Sequence, residues 1–507
     1  MKPTALFSLN DTSHAEQFAE QLIQLGWNII ASSETVELLR KNGLQVEDIA
    51  DFTGTKENYG FPPTLHAKVE YALTTDNPPR IDLVYVIPYP LSDGNDVGGR
   101  TLLALAVKGE RTAVMNIEDM KKVVSELSET GVVSENTSLD LADKACFEIA
   151  KHYLSLAGKR EKFDAVSGQH SYDLMNGENP YQVPASVFIS DKQDDLLSLK
   201  NLKQISGELP CFTNMADADC ILQTLCLAAE AFSLNTGSTP YLCVAAKHGN
   251  ACGVGVSRTS CMEAVEKALW GNPVAIWGGE VITNFPIDEQ LGSALFKSAQ
   301  REHRLGNGFW MLDVVIAPSF TSEAVSVLGK RKERKLFANQ SLVSPLSIKS
   351  GFLYRHMRGG FLKQPAASYV LNLKESQLVG QIFSEKEVMS LIVAWAVAFS
   401  SNHGGNEVAL AKDGALLSVG GGPSTVEAAR VAVMRLSDCG HEAKGSAFAA
   451  DAFFPFTDAP SILADAGILT GCVPGGGKHE TAVKSYFQDR GVSIAYLPEQ
   501  FRGFCRH

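Results

Sequence analysis

Thr4-Ala5-Leu6-Phe7-Ser8, then Asn10-Asp11-Thr12-Ser13, then Ala15 to Leu25 with Phe18, Leu22 and Leu25 at helical spacing, then Asn28-Ile29-Ile30-Ala31: this opening stretch decides the fold class. An apolar run, a cluster of helix-capping residues, an amphipathic segment and a second apolar run read as strand, helix, strand. Glu34–Asn42 continues as a helix that Gly43 can stop, and Leu83–Ile87 and Thr112–Met115 supply further strands. Strands alternating with helices predict an α/β protein with a parallel sheet and crossover connections. Ligands of such open sheets bind at the loops beyond the strand ends, so those loops are where chemistry is sought.

Outward from there, Val133–Gly158 reads as mainly helical, and Gly168–Pro184 is polar and turn-rich. The domain boundary is placed in that stretch, giving domains 1–170 and 171–507. The second part has strand candidates at Tyr241–Ala246, Val314–Ala317, Glu407–Ala411 and Val492–Tyr496. Its helix candidates are Ala218–Leu234, Ser260–Trp270, Glu385–Phe399 and Thr425–Leu436. No repeat with a period of about 20–50 residues and no low-complexity tract is visible.

A length of 507 residues fits two to four domains. Hydrophobic residues at 45% and charged residues at 20% exclude a mostly disordered chain. A net charge of −12 argues against nucleic acid or an anionic membrane as partner. None of the ten cysteines forms a C-x-x-C pair, and most lie in apolar runs such as Leu242-Cys243-Val244. With no secretory leader after Met1 and no apolar run of about 18 residues, a cytoplasmic, reduced protein is expected.

Lys247-His248-Gly249-Asn250 directly follows an apolar strand, which places an ammonium donor and a titratable base at a strand end. Taken alone, a surface role is the plainer reading of that pair. Gly420-Gly421-Gly422-Pro423 and Pro474-Gly475-Gly476-Gly477 each precede a helix; they can cradle an anion or simply form tight turns. Asp451-Ala452-Phe453-Phe454-Pro455-Phe456-Thr457-Asp458 cannot be a clean amphipathic helix, and reads as an aromatic platform or a buried turn. Asn402-His403-Gly404-Gly405-Asn406 is a functional loop or a polar cap.

Taken in order, these segments resemble the AICAR transformylase/IMP cyclohydrolase family of purine biosynthesis. Ala5 to Asp11, Ala31-Ser32-Ser33-Glu34-Thr35, Thr64-Leu65-His66, Tyr89-Pro90 and Asp96 to Leu103 with Lys108 are similar to its cyclohydrolase part. Gly177-Glu178-Asn179-Pro180-Tyr181-Gln182 resembles the hinge that opens the transformylase part. Lys247-His248, Trp277-Gly278-Gly279, Asp313 to Pro318, Asn406, Asp451 to Asp458, and Arg502 with Phe504 complete the series.

The resemblance implies an N-terminal methylglyoxal-synthase-like parallel-sheet domain and a transformylase unit of two cytidine-deaminase-like subdomains without zinc. It implies formyl transfer from 10-formyltetrahydrofolate, as cosubstrate, to the amine of an aminoimidazole carboxamide, in a homodimer whose sites take residues from both chains. The amine loses a proton as it attacks, and the folate nitrogen gains one as it leaves. By carry-over, His248 is the base, and Lys247 protonates the leaving nitrogen or stabilises the oxyanion. Asn406 orients the reacting groups, Phe453 stacks on the heterocycle, Gly278, Asp313 and Arg502 bind substrate, and Asp458 contacts the folate. Tyr89, Asp96 and Lys108 fall on the cyclohydrolase site. No metal, nucleic acid or membrane is implied.

The departures from the family point elsewhere. Its Leu-Arg-Tyr before the hinge is Leu174-Met175-Asn176, and methionine cannot replace arginine's phosphate fork. A second family arginine falls near Thr425. In the N-terminal part a lysine is replaced by Thr12, a phosphate-binding Gly-Gly turn by Ser33-Glu34, and another lysine by Pro63. A carboxylate where a phosphate should sit is a like-charge conflict. A formyltransferase with a weakened or inactive cyclohydrolase site is therefore expected; the alternatives are a fully bifunctional enzyme and a silent paralogue that binds a purine intermediate or a partner.

Overall fold

The computed structural model describes residues 2–55, 63–190, 195–346 and 351–503, and of Ser33 only the backbone. The chain forms two units, Met1–Ser167 and Gly168–His507. Phe504 lies outside the described residues.

In the first unit, strands β1 (Thr4–Leu9), β2 (Asn28–Ala31), β3 (Glu47–Asp48), β4 (Leu83–Ile87) and β5 (Thr112–Val114) form a parallel sheet in the order β3-β2-β1-β4-β5. Helices α1 (Ala15–Gln24), α2 (Ser33–Lys41), α3 (Ile49–Thr53), α4 (Ala67–Thr74), α5 (Val97–Lys108), α6 (Ile117–Thr130) and α7 (Glu135–Gly158) make the crossovers and flank it. Ala5, Leu6 and Phe7 are buried in succession, as expected of a strand covered on both faces. The four-residue cluster before α1 does not cap it. The N-cap is His14, at φ 62° and without a side-chain cap, because Asp11 spends its carboxylate on the Ser13 N–H 2.9 Å away. The strand order reverses between β1 and β4. Their outgoing loops, Asn10 to His14 and Pro88 to Asp96, therefore flank the switch point where open sheets bind ligands.

In the second unit, β6 (Gln169–Leu174) and β7 (Ala185–Ile189) pair antiparallel, so the front of the stretch read as turn-rich is a strand. A twelve-stranded sheet follows, and it is a duplication. One half contains β8 (Lys203–Ser206), α8 (Phe212–Thr236), β9 (Tyr241–Lys247), β10 (Asn250–Ser257), α9 (Cys261–Leu269), β11 (Glu280–Thr283), α10 (Glu289–Phe296), α11 (Ala299–Leu305), β12 (Val314–Ala317), α12 (Ser322–Leu328) and β13 (Lys335–Ala338). A hairpin, β14 (Phe352–Met357) with β15 (Gly360–Pro365), separates it from the other half. That half contains β16 (Gln377–Val379), α13 (Glu385–Ser400), β17 (Asn406–Lys412), β18 (Ala415–Gly422), α14 (Thr425–Asp438), β19 (Ala447–Ala450), α15 (Asp458–Asp465), β20 (Thr470–Pro474), α16 (Glu480–Asp489) and β21 (Ser493–Leu497).

The order β10-β9-β11-β12-β13-β8 is matched by β18-β17-β19-β20-β21-β16, with the same parallel and antiparallel pairings, and β10 joins β18 at the centre. The match extends to details. Both hairpins turn on a residue at positive φ followed by glycine, His248-Gly249 and Asp413-Gly414. Both second strands carry a register shift at the same place. At Gly255 a Cβ would stand 1.9 Å from the Ala264 carbonyl, and at Gly420 2.1 Å from the Ala428 carbonyl, so each lets a helix lie directly on the strand. Gly420 to Gly422 are thus the end of β18 and not a loop, because helix approach, not turning, demands the glycine. Helices α8 and α13, each preceding its half's hairpin, share one core that contains Leu225, Phe232, Ile392 and Trp395. Among the described residues no helix is long and apolar enough to cross a membrane.

Candidate functional site

The duplication explains why the residues singled out above meet at one end of the large sheet. Strand β9 ends there, β11 and β12 begin there, β17 begins there, and β19, β20 and β21 end there. Lys247 is the last residue of β9, and His248 and Gly249 form the tight turn into β10. Both turn residues have positive φ, 54° and 66°, the geometry of a two-residue hairpin. Gly249 has no room for a side chain, since a Cβ would lie 3.0 Å from Cys220 Sγ and 3.2 Å from an Asp217 carboxylate oxygen. The turn leaves the His248 side chain exposed.

Lys247 is half-buried, and its ammonium donates to the Gly278 carbonyl. Gly278 is at φ 68°, and a Cβ there would stand 2.8 Å from Lys247 Nζ and 3.6 Å from Asp313 Oδ2. Asp313 is held by Arg331 Nη2 at 3.0 Å. Beneath them lies Glu280, 2% exposed. Burial, Asp217 and Asp313 hold its carboxyl well above the usual range, against the opposing pull of Lys247. Lys247, Gly278 and Asp313 therefore form one cluster, and Arg331, Glu280 and Asp217 support it.

A second cluster begins β17. Asn406 gives Nδ2 to the Gly422 carbonyl at 3.3 Å. Strands β10 and β18 separate Lys247 from Asn406, about 14 Å at ordinary strand spacing. The clusters are tied by Asn250, whose Oδ1 accepts the Asn402 N–H at 2.8 Å and whose Nδ2 donates to the His248 carbonyl at 3.1 Å. The aromatic run after β19 divides its work. Phe454 is buried against Phe448 and Phe487, Phe456 is exposed and stacks on His479, and Phe453 is half-buried with the Arg502 guanidinium 5.7 Å from its ring centre. Asp458 is exposed at the start of α15. The second glycine loop holds an anion of its own, the Gly476 N–H donating to Glu480 Oε2 at 2.6 Å. A separate apolar cavity of about 600 Å³, lined by Ala218, Leu222, Leu342, Leu353 and Leu362 among others, contains none of these groups.

Asp451 carries a pH signature. It is 3% exposed, its Oδ1 accepts the Glu407 N–H at 2.9 Å, and its Oδ2 has no partner among the described residues. Burial, aided by the Glu407 charge, pushes its carboxyl up to about 7. Its twin in the other half is Asn284, which accepts the Leu242 N–H at 2.7 Å and also gives Nδ2 to the Pro240 carbonyl at 2.9 Å. A protonated carboxyl can do both, and a carboxylate cannot. Because the folded-state value is raised, the stabilisation is complete below the unfolded value and lost as pH rises through about 7. It amounts to as much as roughly 4 kcal/mol. Asp451→Asn is expected to remove that loss, so the variant's Tm should gain on the parent's steadily between about pH 4 and pH 8. A Tm difference that does not change with pH would show that Asp451 is ionised throughout.

In the first unit, Asp96 caps α5 with Oδ1 on the Gly99 N–H at 2.7 Å and takes the Tyr89 N–H on Oδ2 at 3.3 Å. The Tyr89 hydroxyl donates to the Asn95 carbonyl at 3.2 Å. Both residues lie at the switch point. Lys108 does not. Helix α5 runs from that end back to the start of β5, which puts Lys108 about 18 Å along the axis from Asp96. It is exposed there, paired with Glu70 at 3.5 Å. Spacing in sequence cannot show this, because a residue twelve positions along a helix is on the far side of the domain. Arg100, a cation near the switch point, is turned on Asp96, 3.3 Å from its carbonyl and 3.9 Å from its carboxylate. Glu34 is exposed in the first turn of α2.

Missed in the sequence were Asn250 as the tie, Arg331, and the buried acids Glu280 and Glu407. The signal for the acids was present, as Glu280 opens the apolar run of β11 and Glu407 directly precedes that of β17.

Fold and site together define a two-unit α/β protein with a switch-point domain and a duplicated sheet whose end carries a lysine–histidine hairpin. A family model described as MGS-like domain matches residues 14–109, and one described as AICARFT/IMPCHase bienzyme matches residues 109–435. The chain belongs to the AICARFT/IMPCHase bienzyme family. It is 31% identical over 528 residues to the bifunctional purine biosynthesis protein PurH of Bacillus thuringiensis subsp. konkukian, covering 96% of each chain. It is 28% identical over 547 residues to the protein of the same name from Polynucleobacter necessarius subsp. necessarius, covering 97% of this chain and 98% of the relative. A solved structure described as "Crystal structure of ForH" is 28% identical, covers 31% of this chain and 97% of its own, and has a TM-score of 0.28. The first unit is thus the methylglyoxal-synthase-like domain, and the bienzyme model reaches into both halves of the duplicated sheet.

Proposed function

We propose that this chain is a folate-dependent N-formyltransferase that moves a formyl group from 10-formyltetrahydrofolate to AICAR or a related heteroaromatic amine, with its cyclohydrolase site weakened or inactive. The observation that carries this reading is the placement of Lys247 at the strand end, its ammonium on the Gly278 carbonyl and Asp313 beside it, with His248 exposed in the adjoining turn. The amine attacks the formyl carbon. His248 takes the amine's proton, Lys247 stabilises the oxyanion or protonates the departing folate nitrogen, and Asn406 orients the reacting groups. Gly278 and Asp313 meet the acceptor's polar groups, Phe453 offers a face to its ring, Arg502 answers an anionic substituent, and Asp458 contacts the folate. Formyl transfer is tested with purified protein, 10-formyltetrahydrofolate and AICAR, by following tetrahydrofolate release. No release with AICAR or with the dephosphorylated amine would remove the reading.

A fully bifunctional enzyme is the second reading, and the near-complete alignment with relatives named bifunctional favours it. In either case the protein acts as a homodimer with sites shared between chains, which fits the spacing of the two clusters within one chain. Sedimentation should give a dimer at micromolar concentration; an active monomer would exclude shared sites.

A further inference from the structure

Because the halves of the large sheet are built alike, a residue that differs between twin positions is not demanded by the fold. The registers pair Glu407 with Leu242 and Gly421 with Val256. Leu242 and Val256 are ordinary core, both 0% exposed. In the second half the same place holds Glu407, also 0% exposed, with both oxygens turned on one residue. Its Oε2 lies 2.8 Å from His403 Nδ1, and its Oε1 accepts the His403 backbone N–H. A carboxylate buried in an apolar strand is strongly unfavourable unless it is paired. Gly421 makes room for the pair. A Cβ there would stand 2.5 Å from His403 Cβ and 2.6 Å from Glu407 Oε1, so the twin's valine could not coexist with it.

The carboxylate only accepts, so Nδ1 carries the ring hydrogen and the lone pair is at Nε2. Among the described residues Nε2 has no partner, and the imidazole is 17% exposed. The loop is fastened to the candidate site on both sides, through Asn402 to Asn250 at 2.8 Å and through Asn406 to Gly422 at 3.3 Å. A buried acid that orients an imidazole whose other nitrogen faces a reacting group is the arrangement of an activated base.

We infer that His403, oriented by Glu407, is a second proton acceptor of the formyl-transfer site and meets the acceptor amine at Nε2. This rests on the formyltransferase reading. The amine nitrogen bonds to the formyl carbon and its proton passes to His403 Nε2. The bond from that carbon to the folate nitrogen breaks, its electron pair stays on nitrogen, and that nitrogen takes a proton from the Lys247 ammonium. His403 passes that one proton by way of His248, its neighbour across Asn250, to solvent, and Lys247 is reprotonated from solvent. The titratable groups around His403 are Glu407 on β17, Asp451 beyond β19, and Lys247 and His248 across Asn250; β18 presents only glycine at Gly420 to Gly422.

His403→Gln should lower kcat for formyl transfer by ~10²–10⁴-fold and leave KM for 10-formyltetrahydrofolate little changed. Glu407→Gln, which no longer fixes the tautomer, should lower it by roughly 10–100-fold. Nitrogen-15 NMR of the parent should show the Nδ1–H tautomer at His403 and a shift of its ring signals when AICAR alone is added. If the parent transfers formyl and His403→Gln keeps the parent's kcat, the inference is overturned and the formyltransferase reading stands. If the parent transfers none, that reading falls. The NMR titration then decides: unmoved His403 signals overturn the contact, and shifted ones support it. His403→Gln keeps a side-chain N–H that can answer Glu407, so it carries the test even if Glu407→Gln does not fold.

Discussion

Replacing His248 with alanine should lower kcat for formyl transfer by ~10²–10⁴-fold while the protein stays folded. The side chain is exposed on a two-residue turn, so removing it uncovers no core. Its backbone is at φ 54°, where alanine is strained by the order of 1 kcal/mol. His248→Asn separates that strain from the chemistry, because asparagine tolerates the left-handed region and still lacks a base. Both variants should lose rate alike, and KM for 10-formyltetrahydrofolate should change little. If His248→Ala is as fast as the parent, the hairpin histidine has no part in proton transfer. A matching loss on Lys247→Met would then leave the lysine, on Gly278 and beside Asp313, as the essential group.

Formylated AICAR should not be cyclised to IMP at a useful rate. The switch point between β1 and β4 still has Tyr89 and Asp96, but both are committed to their own loop, Tyr89 to Asn95 and Asp96 to Gly99. Glu34 sits in the first turn of α2, the end of a helix that would otherwise attract a phosphate. By the resemblance, Thr12 and Pro63 fall where the family has lysines. Each lost lysine removes a charge-assisted contact worth roughly 1.5–3 kcal/mol. Lys108 cannot compensate from the far end of α5, and Arg100 is turned on Asp96. IMP formation from formyl-AICAR, followed by absorbance, should stay far below ~1 s⁻¹. Turnover at that rate or faster would restore the plain bifunctional enzyme. The double change Thr12→Lys with Glu34→Gly should tighten binding of a 5′-phosphate; unchanged affinity would show that phosphate was never meant to bind there.

Much of the fold was legible because it rests on local rules. Asn28–Ala31, Leu83–Ile87 and Val314–Ala317 are strands over the ranges their apolar runs predict, since a strand buried on both faces needs uninterrupted apolar residues. The strand starting at Glu47 escaped notice because two residues carry no periodicity. The capping cluster Asn10 to Ser13 misled, as its carboxylate satisfies the turn before the helix.

By itself the sequence determined the α/β class, the alternation of strands and helices in the first unit, and the chemical content of the Lys247-His248 loop. Those depend on periodicity and residue type over a few neighbours. Only the tertiary structure decided the rest. The duplication is invisible in the sequence because its halves share backbone constraints, glycine where a helix touches a strand and positive φ in a hairpin, while their side chains have diverged. Gly420 therefore reads as a loop residue until the helix lying on it is seen. Strand order brings Lys247, Gly278, Asp313, Asn406 and Asp451 to one sheet end, and the length of a helix carries Lys108 away from Asp96. The Glu407–His403 pair exists because a buried charge must find its partner within the fold.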